Sequence, residues 1–356
     1  MSLLPDAESF KRIVSGADSS ARGRLSRALL GPLGVAWTGV MAARNAAYDA
    51  GLFAAHAAPV PVVSVGNLSL GGTGKTPLVA WVAGRLLRAG HSPAIVSRGY
   101  GAARGTVSDE AAELALLLPG VPHVADADRV AGARTAARAG AGVVVLDDGF
   151  QHRRLHRDLD LVAIDATDPF GCGHVFPRGL LRERLAGLSR AHAAILTRAT
   201  AVPPERRDAI RARLAEACAG RVPGVWAEAS HAPVALRDGE GNREDLGWLA
   251  GRDVVGFAGI GNPAAFRDTL HALGARVVAF RAFPDHHAYG AADTRDLAGL
   301  AAAHGAAALV TTLKDLVKMT GHDASPRLLA LEIAIVIDRG ADELGRMVDA
   351  VAEGRR

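Results

Sequence analysis

Eight consecutive residues, Ser69-Leu70-Gly71-Gly72-Thr73-Gly74-Lys75-Thr76, have the types and spacing to hold a phosphate group. Glycines let successive backbone N–H groups turn inward around phosphate oxygens, and a following helix adds the positive end of its dipole. The flanks predict that frame: a buried strand over 61–65 and a helix over 75–89, ending at Gly90. In such a loop Ser69, Gly71, Gly72, Thr73 and Gly74 wrap the nucleotide phosphates. Lys75 reaches the β- and γ-phosphates, and Thr76 reaches a Mg²⁺ ion. Ser69 stands where most such loops begin with glycine. Lysine is rare here: Lys11, Lys75, Lys314 and Lys318 among 41 basic residues. A glycine-rich turn with a solvated lysine would not explain a rare lysine at this one position.

A phosphate loop needs an acid at the end of a neighbouring strand to hold the metal. The apolar run Val143-Val144-Val145-Leu146 followed by Asp147-Asp148 supplies one, the alternative being a strand capped by two solvated acids. Either aspartate could ligate the ion. The nearest candidate for a guanine-reading motif, Thr312-Leu313-Lys314-Asp315, has the wrong spacing, which leaves ATP as the expected nucleotide.

The elements that must position these residues follow from patterning. The chain has 356 residues, 49% hydrophobic and 22% charged, which excludes wholesale disorder and suggests two domains. Aromatics at 4% argue against a β-sandwich, and two cysteines exclude a disulfide scaffold or a multi-cysteine zinc site. A net charge of +4 suits acidic substrates or anionic lipid, without a nucleic-acid-binding tail. Further strands are expected at 94–97, 142–146, 161–164 and 193–197, and helices at 111–118, 125–139 and 204–217. Their alternation predicts a doubly wound, mostly parallel sheet. The pattern breaks near 220–251. A second β/α series follows, with strands at 254–258, 275–280, 308–311 and 329–337 and helices at 263–273, 291–304 and 341–352. This gives an N-terminal segment (1–58), a phosphate-loop domain (59–224), an extended linker (225–250), a smaller α/β domain (251–338) and a C-terminal helix (339–356). No secretory signal is visible at the start. Arg22, Arg24 and Arg27 lead into an uncharged run over 28–43 that contains Trp37 and is too short to span a bilayer. It reads either as a helix lying in a membrane interface or as one packed on a protein core.

Several segments taken together resemble the tetraacyldisaccharide 4′-kinases, the lipid A 4′-kinases of Gram-negative bacteria. They are Val65 to Pro77, Ser97-Arg98-Gly99-Tyr100-Gly101, Asp147-Asp148-Gly149-Phe150-Gln151-His152 and Arg178-Gly179-Leu180-Leu181-Arg182-Glu183. Ala258-Gly259-Ile260-Gly261-Asn262-Pro263 and Phe283-Pro284-Asp285-His286 complete the set. They occur in order over about 29–337, and this family tolerates serine at the position of Ser69. The resemblance implies transfer of the ATP γ-phosphoryl group to the 4′-hydroxyl of an acylated glucosamine disaccharide 1-phosphate. It also implies two α/β domains with the active site in their cleft, and an N-terminal helix on the cytoplasmic face of the inner membrane. No nucleic-acid partner and no obligate protein partner are expected.

The same resemblance assigns roles. Asp109, in Ser108-Asp109-Glu110, is the base for the sugar hydroxyl, and His286 assists it. The loop between Gly101 and Ser108 is short, and this trio is also a good helix cap. Arg182 joins the catalytic set, Gln151 the nucleotide site, and Asn45, Arg98, Gly99, Glu110, His152 and Glu183 the acceptor site. The bland readings are an exposed ion pair for Arg182 and Glu183, a first helical turn for Gln151 and His152, and a structural histidine for His286. Two other function classes fit the glycine loop alone: a regulatory ATPase or metallochaperone acting on a protein partner, and a non-catalytic membrane-surface binder using ATP structurally. A non-protein acceptor separates the kinase from the first. Tolerance of Asp109 and His286 to substitution separates it from the second.

Overall fold

Every residue of Val62–Asn67 (β1) is buried, as a parallel strand covered on both faces requires. The computed structural model describes residues 7–99, 108–285, 287–319 and 326–354. Helices Ala7–Ser15 (α1) and Ala21–Asp49 (α2) precede β1. Then come α3 (Lys75–Arg88), β2 (Pro93–Ser97), α4 (Asp109–Leu117), β3 (His123–Ala125), α5 (Arg129–Arg138), β4 (Val143–Asp147), β5 (Leu159–Asp165), β6 (Ala193–Thr197) and α6 (Pro204–Ala217). The rest comprises β7 (Val225–Arg237), β8 (Arg243–Glu244), β9 (Asp253–Ala258), α7 (Pro263–Ala272), β10 (Arg276–Ala282), α8 (Ala291–Ala303), β11 (Ala308–Thr312), α9 (Leu313–Leu316), β12 (Arg327–Arg339) and α10 (Ala341–Ala352).

The fold is mixed α/β with mostly parallel strands, and the chain forms two compact units. The first is drawn from Met1–Arg98, Gly120–Ser230 and Ile335–Arg356. Its strands run in the order β3-β2-β4-β1-β5-β6-β7, all parallel. Val65 pairs with Asp147 and Asp165 with Thr197, so β1, β4, β5 and β6 end along one edge of the sheet. Two clusters hold it: Val62, Val96, Val130, Val144 and Leu146 with α5 on one face, and Leu68, Phe150, Val162, Leu188, Leu196 and Leu214 with α6 on the other. Each such side chain contributes about 1.5–3 kcal/mol by leaving water. Helix α10 belongs to this unit, where Arg85 of α3 donates two hydrogen bonds to Asp349, at 2.8 and 2.6 Å.

The second unit is drawn from Gly99–Pro119 and His231–Ala334. Its parallel order is β10-β9-β11-β12. Phe257, Tyr289, Leu297, Leu309 and Met319 pack one face, and Phe266, Leu270, Val310 and Leu329 the other. Leu116 and Leu117 of α4 pack on Leu313 and Leu316 of α9. The sequence pattern missed β3 and α9 because three- and four-residue elements carry no periodicity.

Among the described residues no helix is long and apolar enough to cross a membrane. Helix α2 is longer than the apolar run suggested and carries Pro32 inside. Leu25, Leu29, Leu33, Val35, Trp37 and Val40 are exposed on it. Arg27 donates to the carbonyls of Ile13 and Asp18, tying α2 to the α1 connection.

Candidate functional site

In the first unit the glycine loop joins β1 to α3, with Gly71 at φ +111° and Gly74, the residue before the helix, at φ +79°. A side chain at either would be strained. Ser69 lies outside the left-handed region, so its position needs no glycine. It is instead held by a single bridge to Leu181, and Leu70 donates to the Leu180 carbonyl at 2.6 Å. Asn67, at the end of β1, donates to the Ser69 carbonyl at 2.5 Å and accepts from Lys75 Nζ at 3.1 Å. From the far side Thr197 donates to the Thr73 carbonyl and Arg198 to the Gly72 carbonyl, each at 2.8 Å. Arg198 is itself paired with Asp165. The loop is held by its carbonyls, while Leu70, Gly71 and Gly72 remain exposed.

Lys75, Asp148 and Arg182 come together. Lys75 Nζ lies 3.5 Å from Asp148 Oδ1, and Arg182 donates to Asp148 Oδ2 at 2.8 Å. Asp148 sits at φ +55°, a left-handed position that a non-glycine residue holds only under constraint. Burial alone would raise its carboxyl pKa, but Lys75 and Arg182 outweigh that and hold it below the usual range. Arg182 is fixed in turn, because its N–H donates to the Leu68 carbonyl at 2.7 Å. Asp147 ends β4 beside it.

Glu183 is no exposed ion pair. It is 2% exposed and accepts from Arg190 at 2.8 and 2.9 Å, from Asn45 at 2.9 Å and from Gln151 at 3.1 Å. Gln151 also donates to the Asn67 carbonyl at 2.9 Å. Asn45, Gln151 and Glu183 thus form a hub linking α2, the turn after β4 and the base of the glycine loop. Gln151 and His152 lie in that turn, not in a helix. His152 is pushed down to about 4 by burial and by Arg129, so its imidazole is neutral at physiological pH. Arg98 follows β2 and is exposed, with Gly99 at φ +68°.

In the second unit Asp109 opens α4. Ser108 Oγ accepts from the Ala111 N–H at 3.3 Å, so the capping reading holds. Glu110 is the second residue of the helix. Asp109 Oδ2 lies 3.3 Å from Lys318 Nζ. His286, with Tyr100 and Gly101 of the quoted segments, lies outside the described residues.

The family model for the tetraacyldisaccharide-1-P 4′-kinases matches residues 26–353. The chain belongs to this family. Relatives named tetraacyldisaccharide 4′-kinase include one from Anaeromyxobacter dehalogenans (strain 2CP-C), 45% identical over 324 residues, covering 85% of each chain. Another, from Rhodospirillum centenum, is 41% identical over 347 residues and covers 94% of each. Among solved structures, the ATP complex of the "apo" form of LpxK from Aquifex aeolicus aligns with a TM-score of 0.72 at 29% identity. It covers 91% of this chain and 99% of that one. Membership makes the chain a kinase of the lipid A pathway, and the two alternative classes read from the loop alone fall away.

Within this kinase the structure adds residues that the sequence did not single out. Asn67 is one, at the root of the loop. Arg129 is another: 5% exposed at the start of α5, with its Nε unpartnered and its pKa lowered by burial and by nearby Arg98. Arg190 and Arg198 complete the set. The signal for Asn67 and Arg198 was available in principle, since they lie at or just beyond strand ends along the ligand-binding edge of a parallel sheet.

Proposed function

We propose that this kinase transfers the γ-phosphoryl group of ATP to the 4′-hydroxyl of an acylated glucosamine disaccharide 1-phosphate, and that it uses the residues named above. The observation that carries the residue-level reading is the convergence of Lys75 and Arg182 on Asp148 beneath the glycine loop. Two cations beside a glycine-rich loop at a helix N-terminus are what a triphosphate needs. Ser69, Gly71, Gly72, Thr73 and Gly74 wrap the phosphates, and Lys75 moves from Asp148 to the β- and γ-oxygens as they arrive. The Thr76 hydroxyl with Asp147 or Asp148 offers hard oxygen donors that fit Mg²⁺, and Asp148, held ionised, suits a divalent cation. When bound, the ion supplies charge neutralisation at the phosphates. Arg182 neutralises charge developing on the transferred group, and Gln151 fixes the base of the loop.

The acceptor oxygen forms its bond to the γ-phosphorus as the bridging β,γ P–O bond breaks and ADP leaves. The hydroxyl proton passes to the Asp109 carboxylate, with His286 in support. Buried Arg129, beside Arg98, is a second anion-seeking group at the sheet edge. Arg98, Gly99, Glu110 and neutral His152 face the acceptor, while Asn45 and Glu183 hold the scaffold behind them. The unit drawn from residues 1–98, 120–230 and 335–356 carries the nucleotide, and the unit drawn from residues 99–119 and 231–334 carries the base.

Helix α2, with its exposed Leu29, Leu33, Val35, Trp37 and Val40 after Arg22 and Arg24, docks the enzyme on the anionic cytoplasmic face of the inner membrane. Flotation with anionic vesicles should fall as salt rises. Equal flotation with neutral vesicles would remove the electrostatic part of this reading.

The direct test is to incubate the purified protein with ATP, Mg²⁺ and the disaccharide 1-phosphate, and to locate the new phosphate by ³¹P NMR. A phosphate monoester at the 4′ position supports the assignment. ATP consumption without acceptor phosphorylation would refute it.

A further inference from the structure

Lys314 and Lys318, half of the chain's lysines, sit together in the second unit, and the reaction as derived uses neither. They flank Asp315, which is fully buried. One oxygen of that carboxylate is occupied: Oδ2 accepts from the Gly259 N–H at 3.1 Å and from the Thr312 hydroxyl at 2.7 Å. The other, Oδ1, lies 3.9 Å from Lys318 Nζ. The buried Tyr289 hydroxyl faces the same carboxylate, and burial with that negative charge pushes its pKa up. A side chain at Gly259 would strike Tyr289 Oη, Asp315 Oδ1 and the Pro284 carbonyl. Gly259, Tyr289, Thr312 and Lys318 therefore close around one carboxylate.

A carboxylate this deep is costly unless a cation answers it, often by several kcal/mol. Lys318 is that cation, and its side chain is only 10% exposed. Its ammonium extends past Asp315 to Asp109 Oδ2 at 3.3 Å, where α4 packs on α9. Both carboxylates thus share one lysine whose position is set from the buried side.

We propose that Lys318 is a positioning residue for phosphoryl transfer: anchored by buried Asp315, its ammonium fixes the Asp109 carboxylate in the orientation that receives the acceptor proton. This rests on Asp109 being the base. A lysine suits the task because it is a compact point charge on a flexible stem. Charged neighbours on the two packed helices are Glu113, which lies within electrostatic reach of Asp109, Glu110, Lys314 and Asp315, and Lys318, which faces both Asp109 and Asp315.

The test measures kcat, both KM values and Tm for Lys318→Met, Lys318→Arg and Lys318→Met/Asp315→Asn. Each is made in the wild-type chain and in an Asp109→Asn background. The Lys318→Met/Asp315→Asn variant guards against misfolding, because it leaves no buried charge unanswered. The expected result is a kcat loss of about 10–100-fold for Lys318→Met and for the double variant, with KM for ATP unchanged. Lys318→Arg should recover part of the rate. In the Asp109→Asn background, Lys318→Met should cost less than about twofold more, because members of one unit are not additive. A full, independent loss in that background would assign Lys318 a purely structural role and overturn the proposal, as would an unchanged kcat in the wild-type chain. If Asp109→Asn alone keeps its kcat, the base assignment itself fails and takes this inference with it.

Discussion

Each unit sets a rare lysine against an aspartate at similar range, 3.5 Å for Lys75 with Asp148 and 3.3 Å for Lys318 with Asp109. The two lysines are similarly covered, at 16% and 10% exposure, and so are the two aspartates, at 32% and 34%. What stands behind them differs. Lys75 is backed by a neutral amide, Asn67, on a loop whose outer backbone is open to solvent. Lys318 is backed by a buried carboxylate locked by Gly259, Thr312 and Tyr289. Under the roles proposed above, a lysine that must leave its partner for a phosphate is held by little, whereas one that must keep its partner still is anchored from the core. On that reading the same ion-pair geometry serves two functions, and the supporting groups distinguish them.

The largest expected effect comes from removing Lys75. Lys75→Ala should lower kcat by about 10³-fold or more, because most of this chemistry is charge stabilisation. Turnover within tenfold of wild type would show that Lys75 does not serve the phosphates. Asp109→Asn comes next, with an expected loss of about 10²–10⁴-fold at unchanged ATP affinity. A parallel loss of ATP affinity would blur the distinction between the clusters.

These two residues also show how legible the site was. The glycine loop was readable because its chemistry is contiguous: eight neighbours build the cradle and its lysine. Asp147 and Asp148 were readable because an apolar strand ends in them. The long parallel strands and helices followed from continuous apolar runs and caps. Asn45, Gln151 and Glu183 could be named as candidates, but not as one hub, because their contacts cross more than a hundred residues for Asn45 and 32 for Gln151. Lys318 and Asp315 were legible only as unusual residues. Their meaning depends on a hydroxyl from Tyr289 and an amide from Gly259, 56 residues away from Asp315.

A smaller effect should appear in stability against pH. Glu113, on α4 near Asp109, is pushed up to about 7 by burial, with Lys314 opposing and Glu110, Asp109 and Asp315 reinforcing the rise. A carboxyl whose folded pKa is raised binds more protons folded than unfolded. Its contribution to stability therefore falls as pH rises from about 4 toward 7 and is flat beyond. Glu113→Gln should raise Tm by a few degrees at pH 8 and change it little at pH 4. A gain that is the same at both values would place the cause outside this titration.

The smallest effect belongs to an ion pair with no ligand and no buried anchor. Arg85 and Asp349 are 34% and 30% exposed, so solvent screens them. Asp349→Ala should cost at most about 1 kcal/mol and leave kcat unchanged. A loss of turnover there would show that ion pairs in this chain affect catalysis regardless of what supports them.

The division between the two lysines is tested most directly by measuring equilibrium binding of Mg·ATP, by calorimetry, beside single-turnover rates for Lys75→Met and Lys318→Met. The account predicts that Lys75→Met weakens nucleotide binding and slows transfer together. It predicts that Lys318→Met binds Mg·ATP as wild type does and slows transfer alone. Equal losses of nucleotide affinity in the two variants would contradict it.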